Sequence, residues 1–283
     1  MEREKQELDA LPPDYTPIPD NVIDDDEADS YIRTRLYLSD TLLHHFRTVG
    51  GPVDAVKTSL DHLLDMKRFY SRDGMDLEYP IPALYIRLHR DQEAYDFSKM
   101  HAIITKKLEY AYHNTGLSSL HVKDADVFES PNGLWANDEK WIDFRYAVAV
   151  TLVKLRILFD LQAIQNAIRA FTGVFPPEII DLIRLQLVGS VIESRPKVLH
   201  GSIDETASLI KTIKKQLRDL FKSIAKSNRH FWPLFLEDAP TAALTRPVSS
   251  TPGSMEEAKL ILAYNYAAWA ETPGAIDVIR TLS

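Results

Sequence analysis

Apolar positions recur every three or four residues from about residue 30 to the C-terminus, the pitch of an α-helix. Ile32, Leu36, Leu43 and Phe46 set a first stripe, which Gly50-Gly51 ends. Pro52 suits the first turn of a second helix, whose stripe is Val53, Val56, Leu60, Leu63 and Leu64. A short helix around Met75–His89 is confined to its later part by Pro80 and Pro82. Asp91 then caps a helix on which Ala94, Phe97, His101, Ile104 and Leu108 share a face, ending near Asn114-Thr115-Gly116. Further helices are expected over about 138–172, from Pro176-Pro177 to about Val191, and from Asp204 to Asn228. A short apolar piece begins at Phe231-Trp232-Pro233. Ser254 and Glu257 form a capping-box-like start for another helix, and Pro273-Gly274 separates it from a last one over Ala275–Leu282. Loops fall at 117–138, 192–203 and 238–253. No strand-type alternation of useful length interrupts this, so the chain is predicted to be all-α, with about nine helices. Antiparallel hairpins stacked in order would give an α-solenoid or a similar helical array.

Composition narrows the chemistry more than the fold. With 283 residues, 45% of them apolar, the chain has ample material for a core. It has no cysteine, which removes disulfides, thiolate zinc sites, iron–sulfur clusters and thiol nucleophiles together. The start, Met1-Glu2-Arg3-Glu4-Lys5-Gln6-Glu7, has no apolar run and does not read as a signal peptide. The longest uncharged part of the most apolar stretch, Tyr146 to Val153, is far short of the ~20 residues that span a bilayer. These features lead us to expect no transmembrane segment and a place in the cytoplasm or nucleus.

Charge is unevenly placed. Residues 1–30 carry eleven acids and two bases, net −9, so the overall net charge of −8 belongs to this end of the chain. The expected organisation is an acidic, disordered tail over 1–26 and a helical domain over 27–283. The opposite extreme is residues 211–229, with seven bases against Asp219, net +6. Ile210, Ile213, Leu217, Leu220, Phe221 and Ile224 form the apolar stripe of that helix. Lys211, Lys215, Arg218, Lys222, Lys226 and Arg229 fall on its other side. The bland reading is a solvated face. The alternatives are a surface for nucleic acid or acidic lipid, and docking of the acidic tail on helix 204–228 within the same molecule.

Two blocks carry a resemblance. One is Tyr70-Ser71-Arg72-Asp73-Gly74-Met75 with Pro82-Ala83-Leu84-Tyr85-Ile86-Arg87-Leu88-His89-Arg90-Asp91-Gln92-Glu93-Ala94-Tyr95-Asp96-Phe97. It looks like a tetratricopeptide-type hairpin, with His89 where such turns usually have glycine. The other is the C-terminal run through Pro252-Gly253-Ser254-Met255-Glu256-Glu257-Ala258 and Ala268-Trp269-Ala270-Glu271-Thr272-Pro273-Gly274. Together with Lys123-Asp124-Ala125-Asp126-Val127-Phe128, it resembles suppressor-of-tumorigenicity-7-like proteins, and more closely a fungal group that also carries a MYND-type zinc finger. The finger needs cysteines and is absent from this chain. What the resemblance implies is a helical scaffold of a class that binds peptides or proteins.

Candidate site residues follow from these readings. No phosphate loop, His-Glu-x-x-His motif, nucleophile elbow or dinucleotide fingerprint is present, and no cofactor or metal is expected. The leading reading is a non-catalytic scaffold or adaptor that engages a protein or peptide through a helical groove. Its expected contacts are Tyr85, Tyr95, Trp135 on the long loop, and the basic stripe. The alternative is an enzyme or small-ligand protein with a pocket between helices, using His44, His62, Asp65 and His101.

Overall fold

The computed structural model describes residues 34–35, 37–39, 41–42, 49–69, 78–110, 122–136, 142–244, 247 and 249–282. The acidic tail, His44 and the 70–77 turn lie outside the described residues. Among the described residues all regular structure is helical, apart from isolated bridges at Asn132–Ala136 and Thr172–Phe175. The chain is all-α.

The helices are α1 (Val53–Phe69), α2 (Ile81–Arg87), α3 (Asp91–Tyr110), α4 (Phe144–Phe171), α5 (Pro177–Leu187), α6 (Ser190–Glu193) and α7 (Pro196–Leu199). They continue with α8 (Ile203–Ser227), α9 (Phe231–Glu237), α10 (Ala239–Leu244), α11 (Met255–Ala270) and α12 (Ala275–Leu282). Segmentation is finer than the sequence pattern implies. The stretches expected to be loop at 192–203 and 238–253 hold α6 in part, α7 and α10.

Helix α4 organises the rest. Val148, Ala149, Val150, Thr151, Leu152, Val153, Lys154 and Leu155 are all buried, so its first half has no solvent face. A helix apolar all round must be covered all round. Helices α2, α3, α5, α6, α8, α11 and α12 each pack on it, α8 most extensively. Asp143 caps its start by accepting from the Arg145 amide at 3.2 Å. Helix α8 starts with a full capping box, Ser202 with Glu205, and buries Ile210, Ile213, Leu217, Leu220 and Ile224.

Contacts also close the chain on itself. Helix α11 packs against α2, and Glu271 receives two bonds from Arg87, at 2.8 and 2.9 Å, and one from the Gly50 amide at 3.0 Å. In a one-dimensional stack, each hairpin touches its neighbours; here early and late helices meet around one central helix. The α2–α3 corner turns at His89, whose φ of 56° is in the left-handed region that glycine favours. Its ring bonds Arg156 at 2.7 Å.

Candidate functional site

The described part of the long loop, residues 122–136, is built into the core. Asp96 of α3 accepts from the amides of Asp124 and Ala125 at 2.8 and 2.9 Å, and Gln92 donates to the Ala125 carbonyl at 3.0 Å. Lys154, fully buried on α4, donates to the carbonyls of Val127 and Glu129, both at 2.9 Å, and to Gln216 Oε1 at 2.7 Å. Gln216 of α8 in turn donates to the Phe128 carbonyl at 2.9 Å. The ammonium thus spends all three N–H groups on oxygen acceptors, and burial still pulls its pKa down to about 8.

Three of the expected contact residues, Tyr85, Tyr95 and Trp135, are buried. Trp135 is 0% exposed, its ring edge-on to Tyr95 at 5.4 Å. Tyr95 is equally buried and its hydroxyl donates to Glu129 at 2.7 Å, so burial and that carboxylate push its pKa up. Tyr85 is buried against Phe97, with the Arg90 guanidinium over its ring at 4.7 Å. Trp135 packs inward because a loop that satisfies its backbone on α3, α4 and α8 carries its aromatic residue with it, and Tyr85 and Tyr95 lie on the buried faces of α2 and α3. They offer no free surface to a partner.

The basic stripe is at the surface as expected. Lys211, Lys215, Arg218, Lys222, Lys226 and Arg229 are exposed, as is Lys214, opposite the face that α8 buries on α4. Lys215 pairs with Asp219 at 2.9 Å one turn on. The acidic segment that the sequence offers as its intramolecular partner lies outside the described residues.

Of the described members of the expected pocket, His62 and Asp65 share one arginine and His101 has other partners. Arg35 joins His62 Nδ1 at 3.2 Å to Asp65 at 3.0 Å on one side of α1. His101 is bonded instead to Lys67, and its Nδ1 lies 3.8 Å from Glu78. Burial, with Lys67 and Arg145 nearby, drives the His101 pKa down to about 3. Among the described residues no three His, Asp or Glu side chains converge to hold a metal, and no helix is long and apolar enough to cross a membrane.

One surface escapes the sequence reading. The α4–α5 turn exposes Val174 and Phe175, and α5 exposes Ile179, Leu182 and Leu187, with Val174 at 68% and Leu182 at 59%. Inward, α5 buries Ile180 and Arg184. Arg184 is held there by Asp181 at 3.1 Å, and Asp181 also meets His200 at 3.2 Å. The polarity of an amphipathic surface helix is partly reversed: a charge faces in and branched aliphatics face out. Apolar residues occur all around α5 (Ile179, Ile180, Leu182, Ile183, Leu185, Leu187), so periodicity alone picks no buried face.

No family model, no curated protein and no solved structure matches this chain.

Proposed function

We propose that this chain is a protein-binding module that engages its partner through the α4–α5 tip. The observation that carries this reading is the group of exposed Val174, Phe175, Ile179 and Leu182 on a hairpin whose inner face is fixed by Arg184. Contiguous exposed apolar side chains mark contact surfaces more often than scattered ones do. A ridge of this kind fits the apolar face or groove of another protein, and the hot spot is expected at Phe175 and Leu182, where side chains are large and accessible. The resemblance to tetratricopeptide-like scaffolds supports the same class, with the work done in the cytoplasm or nucleus.

A photo-crosslinking amino acid placed at Leu182 in the full chain, in its own cells, tests this reading. One protein should be captured from position 182 and not from the exposed Glu237 on α9. Substituting Ile179→Asp beside it should abolish that capture. Equal, diffuse labelling from both positions would refute the proposal.

A second reading rests on the exposed basic face of α8, which suits a polyanionic partner. Binding to a single-stranded polynucleotide that falls steeply with salt, and is lost in a Lys211→Glu, Lys215→Glu, Lys222→Glu variant, would favour it. Salt-independent or absent binding would discard it.

A further inference from the structure

Lys67, His101 and Glu78 come from three different segments and meet in a line. Lys67 lies near the end of α1, His101 is on α3, and Glu78 is in the turn before α2. Lys67 Nζ bonds His101 Nε2, and His101 Nδ1 faces Glu78 Oε1 at 3.8 Å. With Nε2 accepting from the lysine, the ring proton sits on Nδ1, toward the carboxylate. The imidazole is clamped between aromatic rings, Phe97 at 4.6 Å and Tyr146 stacked at 5.1 Å and 22°. Lys67 Nζ itself lies 4.4 Å over the Phe97 ring. The start of α4 closes the group with Arg145, which is bonded to Asp143 at 2.6 Å and to the Tyr79 hydroxyl.

Lys67 differs from the other inward lysine in one decisive respect. Lys154 is surrounded by oxygen acceptors that suit an ammonium. Among the described residues, the partner of Lys67 is an imidazole nitrogen, and Glu78 acts on it through charge without a hydrogen bond to it. The charged and titratable groups around the Lys67–His101 pair are Glu78 from the turn and, on the His101 side, Tyr146 and Arg145 from α4, the latter bonded to Asp143. Burial brings its pKa down to about 8, with Glu78 opposing. The amine is thus held by the imidazole, which has Glu78 on its other nitrogen, at 3.8 Å.

We propose that Lys67 is a reactive amine that forms an imine with a small aldehyde or ketone, with His101 and Glu78 as positioning residues. The ammonium first loses a proton to solvent. The Nζ lone pair then attacks the carbonyl carbon, a C–N bond forms, and the carbonyl π pair goes to oxygen, which takes up a proton. The carbinolamine expels its hydroxyl as water and loses the N–H proton, leaving C=N. Atoms and electrons balance with water as the sole by-product, and neither oxidant nor reductant is consumed.

The test uses the intact chain and pyridoxal, an aldehyde without a phosphate and so without a preference for the basic face of α8. After a short exposure at pH 7.5, borohydride reduction fixes the imines, and peptide mass spectrometry measures each lysine. Lys67 should be labelled at least ~10-fold faster than Lys211 or Lys222 in the same molecule, because a lowered pKa leaves more free amine. That advantage should shrink as the pH rises above the Lys67 pKa of about 8. His101→Leu should reduce the ratio while exposed lysines keep their rates. Labelling of Lys67 no faster than Lys211 in the unaltered chain overturns the proposal, whatever the variant does.

Discussion

Lys154 and Gln216 meet at 2.7 Å and together hold a loop from beneath, the lysine through Val127 and Glu129 and the glutamine through Phe128. The bond joins α4 to α8 at the point where both support the 122–136 segment. Replacing Lys154 with Met keeps the aliphatic stem and strands three buried acceptors. The expected cost is about 2–4 kcal/mol. Denaturant melts should show that loss. Hydrogen exchange should show faster opening at Gly133, Trp135 and Ala136, whose amides bond within the loop. Gln216→Leu should cost less, about 1–3 kcal/mol, because the ammonium keeps two partners.

Arg87 and Glu271 form a bidentate pair across 184 sequence positions, with side chains 5% and 23% exposed. A double-mutant cycle with Arg87→Met and Glu271→Gln should give a coupling of about 1–3 kcal/mol. Each single change should be worse than the double, since it leaves one partner of a desolvated pair alone. Additive stabilities would show that the pair contributes nothing of its own.

Asp160 gives a pH dependence with a definite sign. Burial raises its pKa from 3.8 to about 6, Asp91 adds to the rise, and the Gly189 amide and Arg156 oppose it. Between those two values the folded chain keeps a proton that the unfolded chain has lost. Stability from this group is therefore present at low pH and falls as pH rises through the window. Asp160→Asn removes that fall and preserves an acceptor for the Gly189 amide. The variant should gain on the parent by on the order of 1 kcal/mol or more between pH 4 and pH 6, read from urea midpoints. A constant difference across that range would show that Asp160 does not titrate as proposed.

His89→Gly should stabilise the chain by about 0.5–1 kcal/mol. The left-handed backbone costs an L-residue ~1–2 kcal/mol, and the greater freedom of unfolded glycine returns part of it. The loss of the Arg156 contact is small because the His89 ring is exposed. A lowered melting temperature would mean that the ring contact outweighs the backbone strain.

Several helix positions were legible from a local signal. The expected Ala275–Leu282 is α12, and the expected 204–228 differs from α8 by one residue at each end. Ser254 accepts from the Glu257 amide at 3.1 Å, as its spacing implies. The expected 138–172 helix begins later, at Phe144, where Asp143 caps it. The helix expected to reach Val191 stops at Leu187, and Gly189 bonds Asp160 before α6 starts. What no local signal reveals is the fate of the 117–138 loop. Its hydrogen-bond partners Asp96, Lys154 and Gln216 are scattered over three helices, and nothing in the loop's own sequence points to them. The same holds for Lys67 and His101, 34 positions apart, which become neighbours through the packing of α1, α2 and α3. The outward apolar face of α5 was hidden for a different reason: Arg184 looks solvent-facing until Asp181 and the Gly201 carbonyl are seen beneath it.

The wrapping of α4 by both earlier and later helices sets an order of events during synthesis. When α4 leaves the ribosome, α2 and α3 are already available, but α8, α11 and α12 are still to be made. Its greasy flank toward those helices stays bare until they have emerged. A nascent chain stalled before about residue 200 is then the aggregation-prone species, and the one that a chaperone would hold.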